Sequence, residues 1–265
     1  MHTDQIAQGF QTPRHVASPA DCYFYHSIEL PGLGLQVGHW DLRNDIEAYL
    51  GHQSFAGRTV ADVGTASGYV TFELEKRGAT VISFDRVLED RSDDVGLIPF
   101  DNYESKFGLT WDAAIEHRLD NQRRLQNSYW LAHRLLESKA RLYCGNVYDG
   151  MPDVESVDVS FFGCILLHLR DPLGALTKFG RITKDTLIIT DTLENLGGLG
   201  EYPIMFLRAN AKDLTNSGTW WAPTPGLLKQ FLEVLGFTRF TQTTHTTRHV
   251  LDPNPVKLYT IVAQR

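Results

Sequence analysis

Cysteine is scarce in this chain, with Cys22, Cys144 and Cys164 the only examples among 265 residues. An odd number of distant thiols gives no disulfide framework, and none has a partner at zinc-ligand spacing. His245 and His249 come nearest to a metal pair, but on a strand residues four apart lie about 13 Å from each other, too far to share one ion. No metal is assigned. Long apolar runs are also missing: nothing approaches the roughly 18 residues of a membrane span, and the first ten residues are neither cationic nor followed by an apolar stretch. A cytoplasmic protein, neither secreted nor membrane-spanning, is the expectation. Positive charge is in deficit, 25 Lys and Arg against 32 Asp and Glu for a formal net charge of -7. That balance argues against extensive sequence-independent binding to nucleic acid, which Lys and Arg drive by neutralising phosphates; a local basic patch is still compatible with it.

One more absence narrows the ligand. Residues 58–74 read as strand, glycine turn and helix: Val60, Ala61 and Val63 are interrupted by Asp62 and stop at Gly64, and Tyr69, Val70, Phe72 and Leu74 resume at helical spacing. Gly64 permits the sharp turn, Gly68 lets the helix start close to the strand, and Ser67 is a plausible N-cap. The next apolar strand, 79–84, ends in Asp85, about 20 residues after the turn, where a ribose-binding acid is expected. A dinucleotide site would carry a middle glycine to admit the pyrophosphate, and this turn has Ala66 there. A ligand without a pyrophosphate is expected.

This pairing of motifs resembles the first two motifs of class I S-adenosylmethionine-dependent methyltransferases. The resemblance implies S-adenosyl-L-methionine as cofactor, held by Asp62, Gly64, Thr65, Ala66, Gly68 and Tyr69 around the turn and by Asp85 and Arg86 after the second strand. In such enzymes the residues after the third strand meet the adenine, a place matched by Asn146 and Val147. The end of the fourth strand faces the methionine and the acceptor, which brings Gly163, Cys164 and His168 near the sulfonium.

A narrower likeness runs along the chain in order. Tyr25, His26, Ile28, Leu30 and Pro31, then Gly38, Trp40 and Asp41, then residues 165–172 and 220–228, resemble the branch that modifies the wobble uridine of tRNA, the carboxymethyl-transferring enzyme included. It covers roughly residues 23–86 and 141–240. By this resemblance the N-terminal segment folds over the acceptor side, making Tyr23, Tyr25, His26 and Trp40 candidate pocket residues. Leu167 stands where that branch has tyrosine, which weighs towards another acceptor. His26 and His168 are candidate bases, and Tyr25 a residue to orient the acceptor.

The expected architecture is a Rossmann-like, doubly wound α/β sheet of about seven strands ending in an antiparallel hairpin. Residues 1–50 form an N-terminal cap, and 51–265 the methyltransferase domain, with lid insertions at about 87–140 and 193–222. The first insertion opens with a solvated charge run, 89–94, and continues as one long helix or two; its arginines, Arg118, Arg123, Arg124 and Arg134, read as a solvated face or as an anion site. The second carries Tyr202 and Arg208 and adjoins Trp220, in the loose segments where small-molecule specificity is usually set. The expected activity is methyl transfer to a small-molecule acceptor, with secondary metabolism a candidate setting. A tRNA wobble uridine, with a methyl or carboxymethyl donor, and a non-catalytic cofactor-binding role are the alternatives.

Overall fold

The computed structural model describes residues 8–88, 104, 108, 110–193, 198–210, 218–252 and 254–265. The charge run at 89–94 lies outside these residues. Among the described residues the central sheet has nine strands. Five are parallel and form its middle: β5 (Thr59–Val63), β6 (Thr80–Asp85), β7 (Arg141–Cys144), β8 (Val157–Gly163) and β9 (Thr183–Thr192). β13 (Val256–Gln264) runs antiparallel to β9, and β12 (Arg239–His249) antiparallel to β13, which is the expected terminal hairpin. Strand order is β7-β6-β5-β8-β9-β13-β12, so the chain reverses direction of travel between β5 and β8. A crevice opens at such a switch point, outside the carboxyl ends of the strands.

The two further strands come from the N-terminal segment. β1 (Gly9–Phe10) pairs with β7 at one edge, and β4 (Trp40–Asp41) pairs with β12 at the other. Residues 9–41 are thus fastened to both edges of the sheet. Between these ends, β2 (Ile28–Leu30) and β3 (Gly34–Gln36) make a small separate hairpin. Sequence pattern shows neither edge strand, because two residues carry no measurable alternation.

Helix α1 (Ile46–Tyr49) follows β4, and α2 (Tyr69–Lys76) joins β5 to β6. Ser67 is not the cap of α2. Gly68 is, at φ 89°, and a Cβ there would lie 2.6 Å from Phe72 and 2.8 Å from Tyr129. The Ser67 hydroxyl instead accepts from the backbone N–H groups of Tyr25 and His26, both at 3.2 Å. That bond ties the N-terminal segment to the glycine turn.

The helical pattern after residue 110 is one continuous helix, α3 (Trp111–Leu135), capped by the Thr110 hydroxyl. Two of its arginines brace the N-terminal segment: Arg124 donates to the Cys22 carbonyl at 3.1 Å, and Arg134 to that of Val16 at 3.0 Å. Helix α4 (Pro172–Ile182) starts at the Asp171 cap, and α5 (Pro225–Val234) at the Thr224 cap, each with proline in its first turn. β10 (Met205–Leu207) and β11 (Trp221–Pro223) pair with each other in the second insertion. Val60, Val159, Phe161 and Ile188 are buried on one face of the sheet, and Ala61, Phe162, Leu187 and Ile189 on the other, as expected of strands covered on both sides. Among the described residues no helix is long and apolar enough to cross a membrane.

Candidate active site

Two cavities meet at the carboxyl end of the sheet. The first, about 320 Å³, is walled by Val63, Gly64 and Ala66 after β5, Asp85 and Arg86 after β6, and Val147 after β7. The second, about 300 Å³, is bounded by Trp40, Tyr49, Leu167, Arg208 and Thr247, with Val256 and Leu258. Tyr25, His26, Gly163, Cys164 and His168 line both. These five form the neck between the chambers.

The first chamber is shaped by backbone. Gly64 adopts φ 82°, and its amide, like that of Thr65, donates to the Phe84 carbonyl, so the turn folds back onto β6. A Cβ at Gly64 would meet Ile165 at 2.8 Å. The glycine is therefore needed for the turn and for packing against a wall residue, rather than for direct room at a ligand. Ala66 (φ 52°) and Cys164 (φ 49°) are non-glycine residues in the left-handed region, and both line this chamber. Such strain, of order 1 kcal/mol or more per residue, persists where surrounding structure holds it. Asp85 accepts from the Ala66 amide at 2.9 Å on one oxygen and from the Arg86 amide at 2.8 Å on the other. Burial raises its pKa, and those two amides oppose the rise. Its carboxylate keeps further lone pairs for a ligand's hydroxyls.

At the neck the two histidines differ. His26 is buried, and burial lowers its pKa to about 4. Its Nδ1 is buried without a hydrogen-bond partner, which is an unusual state for a polar atom in a protein interior. His168 directs Nδ1 at the Gly218 carbonyl. A carbonyl only accepts, so in the neutral ring the proton sits on Nδ1 and the lone pair on Nε2. Tyr25 accepts from the Trp40 indole at 3.2 Å, and its pKa is pushed up to about 12, chiefly by burial. The Cys164 thiol is raised well above its ordinary value by burial and then by the charge of Asp191, so it is no thiolate nucleophile at neutral pH.

Several residues singled out in the sequence are placed outside the chambers. Asp62 and Thr65 lie behind the first, in a chain of buried hydroxyls: Thr71 donates to Asp62 at 2.7 Å and sits 2.8 Å from both Thr65 and Ser83. Gly68 is spent on packing against Phe72 and Tyr129. Tyr69 lines a separate open crevice with Arg43 and Glu73. Asn146 turns its carbonyl back to the Tyr148 amide at 2.8 Å, an ordinary turn contact at a strand end. Tyr23 bonds His39 at 3.1 Å, Tyr202 is 61% exposed, and Trp220 lies against the Arg170 guanidinium. His249 packs edge-on against Trp40, and His245 against Tyr49.

Other wall residues went unmarked by pattern. Arg118, Gln122 and Leu125 of α3 line the first chamber. Gln122 is buried on the inner face of the helix, and a polar residue on an apolar stripe was the available signal. Tyr49, Thr192 and Thr247 line the second; nothing local distinguishes them from structural residues.

Comparison with solved structures agrees with this fold. The N-terminal domain of EvdMO1, in the presence of SAH and D-fucose, superposes with a TM-score of 0.53 at 16% identity, over 91% of each chain. Magnesium protoporphyrin IX methyltransferase from Synechocystis PCC 6803 with bound SAH gives 0.51 at 13% identity, over 84% of this chain and 81% of that one. The fold is that of the class I methyltransferases. Another match is the 1,6-didemethyltoxoflavin N1-methyltransferase of Burkholderia thailandensis with bound 1,6-didemethyltoxoflavin and S-adenosylhomocysteine, with a TM-score of 0.50 at 13% identity, covering 84% of this chain and 77% of that. No protein-family model matches the chain, and no curated protein sequence matches it.

Proposed function

We propose that this chain is an S-adenosylmethionine-dependent methyltransferase whose first chamber takes the cofactor and whose second takes a small-molecule acceptor. The observation that carries this reading is the pair of chambers sharing one neck, the first walled by the glycine turn and Asp85. The residues present suit that cofactor: Asp85 offers acceptors to ribose hydroxyls, Val147 an apolar face, and the neck a bounded passage. The cofactor supplies a methyl carbon already activated by sulfonium, so the acceptor's lone pair forms the new bond while the electron pair of the broken carbon–sulfur bond stays on sulfur. The protein's part is then to align the acceptor, exclude water and take up a proton where one is released. His168, with its lone pair on Nε2, and the neutral His26 are the proposed acceptors of that proton, and Tyr25 the group that orients the substrate. A chamber near the lower end of the roughly 300–1,000 Å³ of small-ligand sites favours a compact acceptor over a nucleotide within a tRNA.

Titration calorimetry with S-adenosylhomocysteine tests the cofactor half, and Asp85→Ala is expected to weaken binding by about 1–3 kcal/mol, because ribose hydroxyls would lose their acceptor. Unchanged affinity in the folded variant would refute the assignment. Incubation with radiolabelled cofactor and a fractionated metabolite extract tests the other half: label in small molecules supports the reading, and label only in tRNA overturns it.

A further inference from the structure

The two histidines of the neck have different surroundings, and the difference separates their roles. His26 is buried, and burial holds its ring neutral at physiological pH, so it carries a single ring N–H. Its Nδ1 is sealed from solvent with no hydrogen-bond partner, while the residue lines both chambers. The polar atom that it offers to the chambers is therefore Nε2. An orphaned buried N–H is rarer in proteins than a buried acceptor with a spare lone pair. The proton accordingly belongs on Nε2, which makes His26 a donor towards the chambers, whereas the neutral ring of His168 keeps its proton on the Nδ1 that meets the Gly218 carbonyl.

A second donor stands beside the first. Tyr25 also lines both chambers, its ring edge-on to that of His26 with 4.9 Å between centroids. Its oxygen accepts from the Trp40 indole at 3.2 Å. An indole N–H only donates, so the O–H of Tyr25 is left for another acceptor. Around these donors the second chamber is aromatic and aliphatic, with Trp40, Leu42, Tyr49 and Leu167, and neither Asp nor Glu is among its described lining residues.

We infer that the methyl-accepting atom is the oxygen of a compact phenol, held at the neck by hydrogen bonds from His26 Nε2–H and the Tyr25 hydroxyl. The inference rests on the methyltransferase reading for the transfer itself, but not for the preference for oxygen. A phenolate oxygen has more than one lone pair, so it accepts from both donors and still presents a lone pair to the methyl carbon. A neutral amine has a single lone pair, and a donor aimed at it competes with the transfer. Donors also favour the ionised phenol, which is the better nucleophile, and its ring suits the apolar walls. In the transfer the oxygen lone pair forms the new bond to carbon, the carbon–sulfur bond breaks with its electrons on sulfur, and the phenol's proton passes to His168, the base of the proposed reaction.

Nitrogen NMR shifts of the imidazole rings in the full-length protein report which nitrogen of His26 carries the proton, its signals being assigned by their loss in His26→Gln. Protonation at Nε2 is expected, and protonation at Nδ1 would overturn the inference. The probes are 4-nitrophenol and 2-naphthol, set against 4-nitroaniline and 2-aminonaphthalene, titrated with and without saturating S-adenosylhomocysteine. The phenols are expected to bind about 10-fold more tightly than the amines, and the pKa of bound 4-nitrophenol, read from its phenolate absorbance, to fall by about one unit. Tyr25→Phe and His26→Leu should each remove most of both effects, while His26→Gln, whose amide keeps an N–H, should retain part; thermal unfolding reports whether each variant is folded. Radiolabelled methyl should enter the phenols. Equal binding of phenols and amines, no binding of any of the four, a preference that survives in both Tyr25→Phe and His26→Leu, or label that avoids the phenols would overturn the inference. Failure of S-adenosylhomocysteine to bind would instead overturn the methyltransferase reading, while the His26 tautomer and the probes titrated alone still report on the neck.

Discussion

The two chambers differ in how the chain builds them. The first comes mostly from the ends of β5, β6, β7 and β8, neighbouring parallel strands whose turns fix the chamber-facing backbone. The second gathers Trp40, Tyr49, Leu167, Thr192, Arg208 and Thr247 from separate stretches of the sequence, and its walls are side chains. A backbone-built site is specified by the fold and tolerates change in side chains away from its turns. A side-chain-built site can be altered without disturbing the fold, which is how one scaffold comes to accept different substrates.

This contrast can be broken most severely at the neck, where the two halves meet. Substituting Gln for His26 or His168, whichever takes the proton, should lower turnover by about 10²–10⁴ while leaving S-adenosylhomocysteine affinity nearly intact. Because burial lowers His26 to about 4, catalysis that depends on it should stay level from neutral pH to about 5 and fall as the ring protonates below that. Normal turnover in both variants would mean that alignment alone suffices.

A backbone-built chamber should fail with its turn. Gly68→Val forces a side chain into a left-handed position already in contact with Phe72 and Tyr129, and a loss of about 3 kcal/mol or more is expected in urea unfolding, with cofactor binding lost alongside. Next in size is a pH effect at the same turn. Burial raises Asp62 from 3.8 to about 6, so between those values the folded protein keeps a proton that the unfolded chain has released. Stability should therefore decline as pH rises from about 4 to 6, by on the order of 2–3 kcal/mol from this group, and Asp62→Asn should remove that decline. Equal pH profiles for the two proteins would contradict the burial argument.

The smallest effect sharpens the comparison. Ser67→Ala removes the hydroxyl that holds the Tyr25 and His26 amides to the glycine turn, at a cost of about 1 kcal/mol. Acceptor KM should rise more than cofactor affinity falls, since the segment it releases walls the second chamber as well as the neck.

How much could be read beforehand follows the same division. The succession of strands and helices along the chain, the terminal hairpin and the Gly64-to-Asp85 spacing are local patterns, and all were legible. Ser67 was misjudged as a cap because hydroxyl residues before a helix usually are; here the partner of its hydroxyl lies about forty residues away in the N-terminal segment. Asn146 and Tyr202 illustrate a further limit. Position along the chain does not give side-chain direction: Asn146 accepts from the Tyr148 amide two residues on, and Tyr202 is exposed. Thr247 shows the reverse: nothing in a run of threonines on an edge-pairing strand marks the one that is buried beside a cavity.

A crystal structure with S-adenosylhomocysteine is the most direct test of the two-chamber account. The ribose should lie against Asp85 and the sulfur at the neck formed by His26, Gly163, Cys164 and His168, leaving the chamber of Arg208 and Trp40 for the acceptor. Ligand density in the open crevice beside Tyr69, or a ribose that makes no contact with Asp85, would contradict it.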